Sequence, residues 1–98
     1  MSPTTYRKKP VEVEASRWVP TDLDSIGSTI AWLQAEGADF EITGFGEKCG
    51  VAIRTSEGVM EASPGDWIIR EPFATQDRRF YPCKPSIFAS TYDEVIDL

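Results

Sequence analysis

IRTSEGVMEASPGDWIIRE, residues 53–71, carries the signals that set the architecture: short β-forming runs cut by two glycine-bearing turns. In TSEGV (55–59) Gly58 supplies the positive φ that a bulge-type hairpin return needs. In SPGDW (63–67) Pro64 presets φ for the second position of a turn, and Gly65 accepts the positive φ of a type II third position. Asp66 is then placed to accept hydrogen bonds from the turn's own amides. Beyond the turn, Trp67 and Ile69 point to one face and Ile68 and Arg70 to the other, so both faces receive apolar bulk and the strand reads as central.

Working outward, DFEIT, GVAIRT, VMEAS and RRFYPCK continue the β pattern. GFGEKCG (44–50) looks like a phosphate loop, but Cys49 stands where the third glycine of GxGxxG belongs and no helical pattern follows, so a hairpin loop fits better. Upstream, KPVEVEASRW alternates with Val11, Val13 and Ala15 on the core parity; Trp18 falls on the polar parity, so the strand either bulges near Arg17 or ends before it. PTDLDSIGSTIAWLQAEG (20–37) reads as the main helix, with Thr21 or Asp22 as N-cap and Gly37 as stop. Leu23, Ile26, Ile30 and Leu33 form its apolar stripe, and Trp32 lies well round from that stripe, a candidate interface residue on the exposed flank or a cover for a neighbouring loop. Pro85 suits the first turn of a short C-terminal helix.

The expected fold is α+β: a small, strongly bent, mostly antiparallel sheet of five or six strands, an open barrel being one form it can take, with one packed helix and a short C-terminal helical turn. The expected core is Val11, Val13, Ile26, Ile30, Leu33, Ile42, Val51, Ile53, Trp67, Ile69, Phe80 and Phe88. Residues 1–98 read as a single domain, with 1–8 as an N-terminal arm and 93–98 as a tail that can fray.

Ten basic and sixteen acidic side chains leave a net charge of −6, which disfavours direct nucleic-acid binding. No apolar run is long enough to span a bilayer and the N-terminus lacks the apolar stretch of a secretory signal, so a soluble cytoplasmic protein with no membrane partner is expected. Cys49 and Cys83 match neither a CxxC nor a zinc pattern, and free thiols are the simpler expectation.

Histidine is absent, which removes the usual general base and the commonest zinc ligand. Lys84 beside Cys83 could lower a thiol pKa only modestly, and Asp66 with Glu61 or Glu71 has no separation fixed by sequence. TDLDS lacks the glycine hinge and closing acid of a calcium loop. No catalytic residue, metal site or cofactor is therefore expected. The candidate ligand-binding residues are cations and an aromatic on adjacent strands: Arg54, Arg70, Arg78, Arg79, Tyr81 and Lys84 could line an anion pocket, since guanidinium forks hold phosphates and aromatic faces stack bases. The competing expectation is a ladder of cross-strand ion pairs with Glu12, Glu41, Glu61 and Glu71.

Taken together, YRKKPVEVEASRW (6–18), IAWL (30–33), IRTSEGVMEASPGDWIIRE (53–71) and FYPCKPSIFASTYDEV (80–95) resemble a group of small phage and prophage proteins with a GDWII-type strand followed by a FYPCKP-type segment. The resemblance spans most of the chain. It departs at PFATQDRR (72–79), where that group has a shorter, glycine-containing turn. The resemblance implies a phage genomic setting and carries over no catalytic residues. The expected function is a non-enzymatic binding protein, a host-takeover or anti-defence factor that blocks a host protein or sequesters an anionic, nucleotide-like ligand. A minor virion or assembly component is the alternative. A DNA-mimic surface ranks lower, because the acids are scattered through cap, strands and tail. Sheet edges and Trp32 leave a homodimer open.

Overall fold

The computed structural model describes residues 2–7, 11–55, 57–72 and 79–96. Six strands and two helices follow in the order β1 (Glu14–Arg17), α1 (Leu23–Ala35), β2 (Phe40–Thr43), β3 (Gly50–Thr55), β4 (Gly58–Ala62), β5 (Trp67–Arg70), β6 (Phe80–Cys83) and α2 (Pro85–Thr91). They form two antiparallel three-stranded sheets, β1-β5-β6 and β2-β3-β4. The fold is thus α+β with six strands, as the pattern implies, divided into two sheets that do not close into a barrel.

The SPGDW corner forms as its chemistry dictates. The Asp66 amide donates to the Ser63 carbonyl at 2.9 Å, and Gly65 takes φ 90°, the left-handed value a type II third position requires. Trp18 brackets this corner with its backbone: its N–H donates to the Asp66 carbonyl at 2.8 Å and its carbonyl accepts from the Gly65 N–H at 2.7 Å. β1 ends at Arg17, so Trp18 lies just past the strand rather than in a bulge.

Helix α1 starts on the Asp22 side chain, which accepts from the Asp24 and Ser25 amides. It stops in a Schellman motif: Gly37 adopts φ 75°, its N–H donates to Gln34, and the Ala38 N–H reaches back to Leu33 at 2.9 Å. The buried face differs from the aliphatic stripe. Leu33 and Thr29 are fully buried, while Leu23, the first residue of the helix, is exposed. Thr29 is tolerated there because its hydroxyl meets the Ser16 hydroxyl at 2.6 Å. This rotation draws Trp32 inward, half-buried and edge-to-face with Phe80 at a ring separation of 5.5 Å, so it covers the core rather than standing on an exposed flank.

Cross-strand register sorts the β1-β5-β6 sheet into two faces. Ser16, Ile68 and Phe80 look toward α1 and the second sheet, and Ile68 and Phe80 join Trp18, Leu33, Cys49, Val51, Ile53 and Ala62 in one buried cluster. Ala15, Ile69, Tyr81 and Trp67 look the other way, where α2 covers them with Phe88 stacked on Trp67 at 4.0 Å. The alternation of Val11, Val13 and Ala15 is therefore real, but it marks this second, shallower face. Val11 is 42% exposed and Val13 only half-buried, and the polar parity that holds Trp18 and Ser16 is the one that faces the main core. Ile42 also departs from the expected core: it shares the inner side of its sheet with Val51 and Ala62, yet β2 is an edge strand and leaves it 39% exposed. Trp67 and Phe88 are half-buried, whereas Leu33, Val51, Ile53, Ile69 and Phe80 are buried as expected. No helix among the described residues is long and apolar enough to cross a membrane.

Candidate functional site

Among the described residues, the cations of the sequence pattern pair with carboxylates. Arg70, at the end of β5, donates from Nη1 to Glu14 Oε1 at 2.6 Å and from Nη2 to Glu36 Oε2 at 3.1 Å. Arg79 donates to the same Glu36 oxygen at 3.2 Å and lies over the Phe80 ring. Glu36 caps the C-terminus of α1, where the helix carbonyls disfavour an acid; two guanidinium groups offset that. Arg54 sits in the other sheet, on β3, paired with Asp39 at 3.4 Å. Lys84 reaches the buried Asp66 at 3.0 Å. Arg78 lies outside the described residues. Structure thus brings Arg70 and Arg79 together but pairs both with carboxylates, and among the described residues the ion pairs use Glu14, Glu36, Asp39 and Asp66, with none to the expected Glu12, Glu41 or Glu61. Glu14 sits opposite Arg70 in the ladder, and Glu36 arrives only through helix packing.

Arg70→Ala leaves Glu14 and Glu36 facing each other without that counter-charge. The pair is partly exposed, and Arg70 Nε is a buried donor with no acceptor, which limits the loss. A destabilisation of about 1–2 kcal/mol is expected, between surface and buried ion-pair values, read as a lower urea midpoint with unchanged slope.

Tyr81 leads to a different site. It projects from β6 onto the α2 face, where its hydroxyl meets the Tyr92 hydroxyl at 3.2 Å; burial first, then that hydrogen bond, pushes its ionisation well above the ordinary phenol value. Phe88 stacks between Trp67 and Tyr92, its ring 5.1 Å from that of Tyr92. These four aromatics wall a cleft of ≈ 1290 Å³ whose floor is Val11, Val13 and Ala15. The cleft is larger than the roughly 300–1,000 Å³ typical of small-molecule sites. Its polar lining is acidic: Glu12, Glu71, Asp93 and Glu94 contribute carboxylates, and among the described residues no Lys or Arg lines it. Among the described residues Glu12, Asp93 and Glu94 form no ion pair.

Sequence reasoning marks Tyr81 for an anion pocket but misses the wall it belongs to. The signal available was the apolar parity of Val11–Ala15 together with the aromatic spacing of Phe88 and Tyr92, one helical turn apart. Neither thiol is presented as a nucleophile. Both cysteines are free, Cys49 is buried, and burial, followed by the nearby Asp66 carboxylate, pushes the Cys83 thiol up. No group of three or more potential metal ligands clusters among the described residues.

Comparison of the chain with protein-family models, with curated proteins and with solved structures returns no match.

Proposed function

We propose that this chain is a phage-encoded binding protein without catalytic chemistry, and that it acts by seating a segment of a host protein in the cleft between β1, the β5-β6 face and α2. The observation that carries this reading is the pairing of an aromatic wall, Trp67, Tyr81, Phe88 and Tyr92, with a rim of carboxylates. Aromatic side chains dominate binding hot spots, and an acidic rim selects a cationic partner and speeds its arrival. The preferred ligand is a short peptide segment combining apolar side chains with Lys or Arg. An anionic nucleotide-like ligand is less well supported, because Arg70 and Arg79 are already occupied by Glu14 and Glu36. The missing histidine and the raised Cys83 thiol support a non-catalytic role.

Isothermal titration of the full chain with a Lys/Arg-flanked aliphatic peptide, a charge-reversed control and nucleoside phosphates tests this, beside capture from host lysate. The basic peptide is expected to bind, Tyr92→Ala to weaken it about tenfold, and the control and nucleotides to be silent. Binding of nucleotides alone would restore the anion reading, and silence throughout would remove both. A second reading, a minor virion component, draws support from Phe45: it is 95% exposed at a hairpin tip between Gly44 and Gly46, whose φ values of 77° and 60° hold the turn. Mass spectrometry of purified particles separates the two readings.

A further inference from the structure

The charge of the chain is unevenly placed. Arg7, Lys8 and Lys9 give the first nine residues +3 with no acid, so residues 10–98, with seven basic and sixteen acidic side chains, carry −9. Residues 2–7 are all exposed, Tyr6 at 88%.

A basic, aromatic-bearing arm, exposed at Tyr6 and Arg7, and an acidic, aromatic-walled cleft thus lie on the same chain. We infer that the cleft takes the N-terminal arm of a second copy, with Tyr6 against the aromatic wall and Arg7 against the carboxylates of Glu12 and Glu94, and that the exchange is reciprocal. This rests on the reading of the cleft as a site for cationic peptide segments and names the chain's own arm as one of them. The arm is favoured as occupant by charge: among the described residues no Lys or Arg lines the cleft, and its Glu12, Asp93 and Glu94 have no counter-charge there. A two-fold exchange uses each arm and each cleft once, so the assembly closes at two copies. Host segment and arm then compete for one groove, and self-association holds the site shut until a better ligand arrives.

Sedimentation velocity of the full chain from about 10 μM to about 1 mM, the range suited to two small arm contacts, tests the inference. A concentration-dependent rise from one copy to two is expected. Arg7→Glu and Glu94→Arg each raise the dissociation constant about tenfold, and the double variant recovers association because the two charges have traded places. A monomer at every concentration overturns the inference, as does a dimer indifferent to Arg7→Glu. A monomer whose Trp67 emission nevertheless responds to Arg7→Glu shows each arm in its own cleft and overturns the second-copy assignment. Titrating Arg7→Glu with the basic peptide separates the two readings: binding there without wild-type dimerisation sinks the arm exchange alone, and no binding sinks the cleft reading itself.

Discussion

Trp18→Ala is expected to cost about 3–5 kcal/mol, the range for deleting a buried large aromatic, out of a total stability of about 5–10 kcal/mol for a domain this small. Trp18 is wholly buried, and its indole N–H donates to the Cys49 carbonyl at 2.7 Å. That bond ties the segment after β1 to the hairpin between β2 and β3, so one side chain joins elements of both sheets. Trp18→Phe separates the contributions. It keeps most of the apolar burial but leaves the Cys49 carbonyl without its donor, at about 1–3 kcal/mol. Urea unfolding followed by far-ultraviolet circular dichroism measures both variants. Equal costs for the two would mean that the hydrogen bond, rather than the volume, secures the site, and a cost below about 1 kcal/mol for the alanine variant would contradict the packing described.

Asp66→Ala is the second large effect, at about 2–4 kcal/mol, because a charged acceptor and a turn are lost together. Its carboxylate accepts the Ser63 N–H at 2.9 Å across the corner and the Lys84 ammonium at 3.0 Å, joining the turn before β5 to the residue after β6. The two partners are unequally placed: the Asp66 side chain is 5% exposed and that of Lys84 62%. Lys84→Ala should therefore cost less, about 1 kcal/mol, since water can replace much of what the ammonium supplies. Thermal melts of the two variants check this order. A larger loss from Lys84→Ala than from Asp66→Ala would place the energy in the ion pair instead of the corner.

Local chemistry made part of this structure readable from the chain. Pro64, Gly65 and Asp66 specify their turn through φ values and a side-chain acceptor, and Asp22 and Gly37 specify both ends of α1, without help from distant residues. Period-2 alternation was equally legible in Val11, Val13 and Ala15, but alternation shows only that a strand has two faces. Which face is deep depends on what packs there, and α1 with the second sheet covers the side that carries Ser16 and Trp18. The carboxylate partners of Arg70 and Arg79 were hidden for a similar reason: Arg70 is plainly placed by its strand, whereas Glu36 reaches it only because α1 ends beside β5 and β6. The cleft was hidden because its wall joins Trp67 and Tyr81 to Phe88 and Tyr92, and helix docking alone makes those pairs into one surface.

The cleft is assembled from Val11–Ala15 at one end of the sequence and Phe88–Val95 at the other. An affinity tag or a surface-immobilisation handle inserted directly beside either segment would consequently crowd the groove and obstruct whatever is to be captured. A handle introduced at the tight turn between β3 and β4, in the sheet from which no described residue lines the groove, leaves it open to the assay.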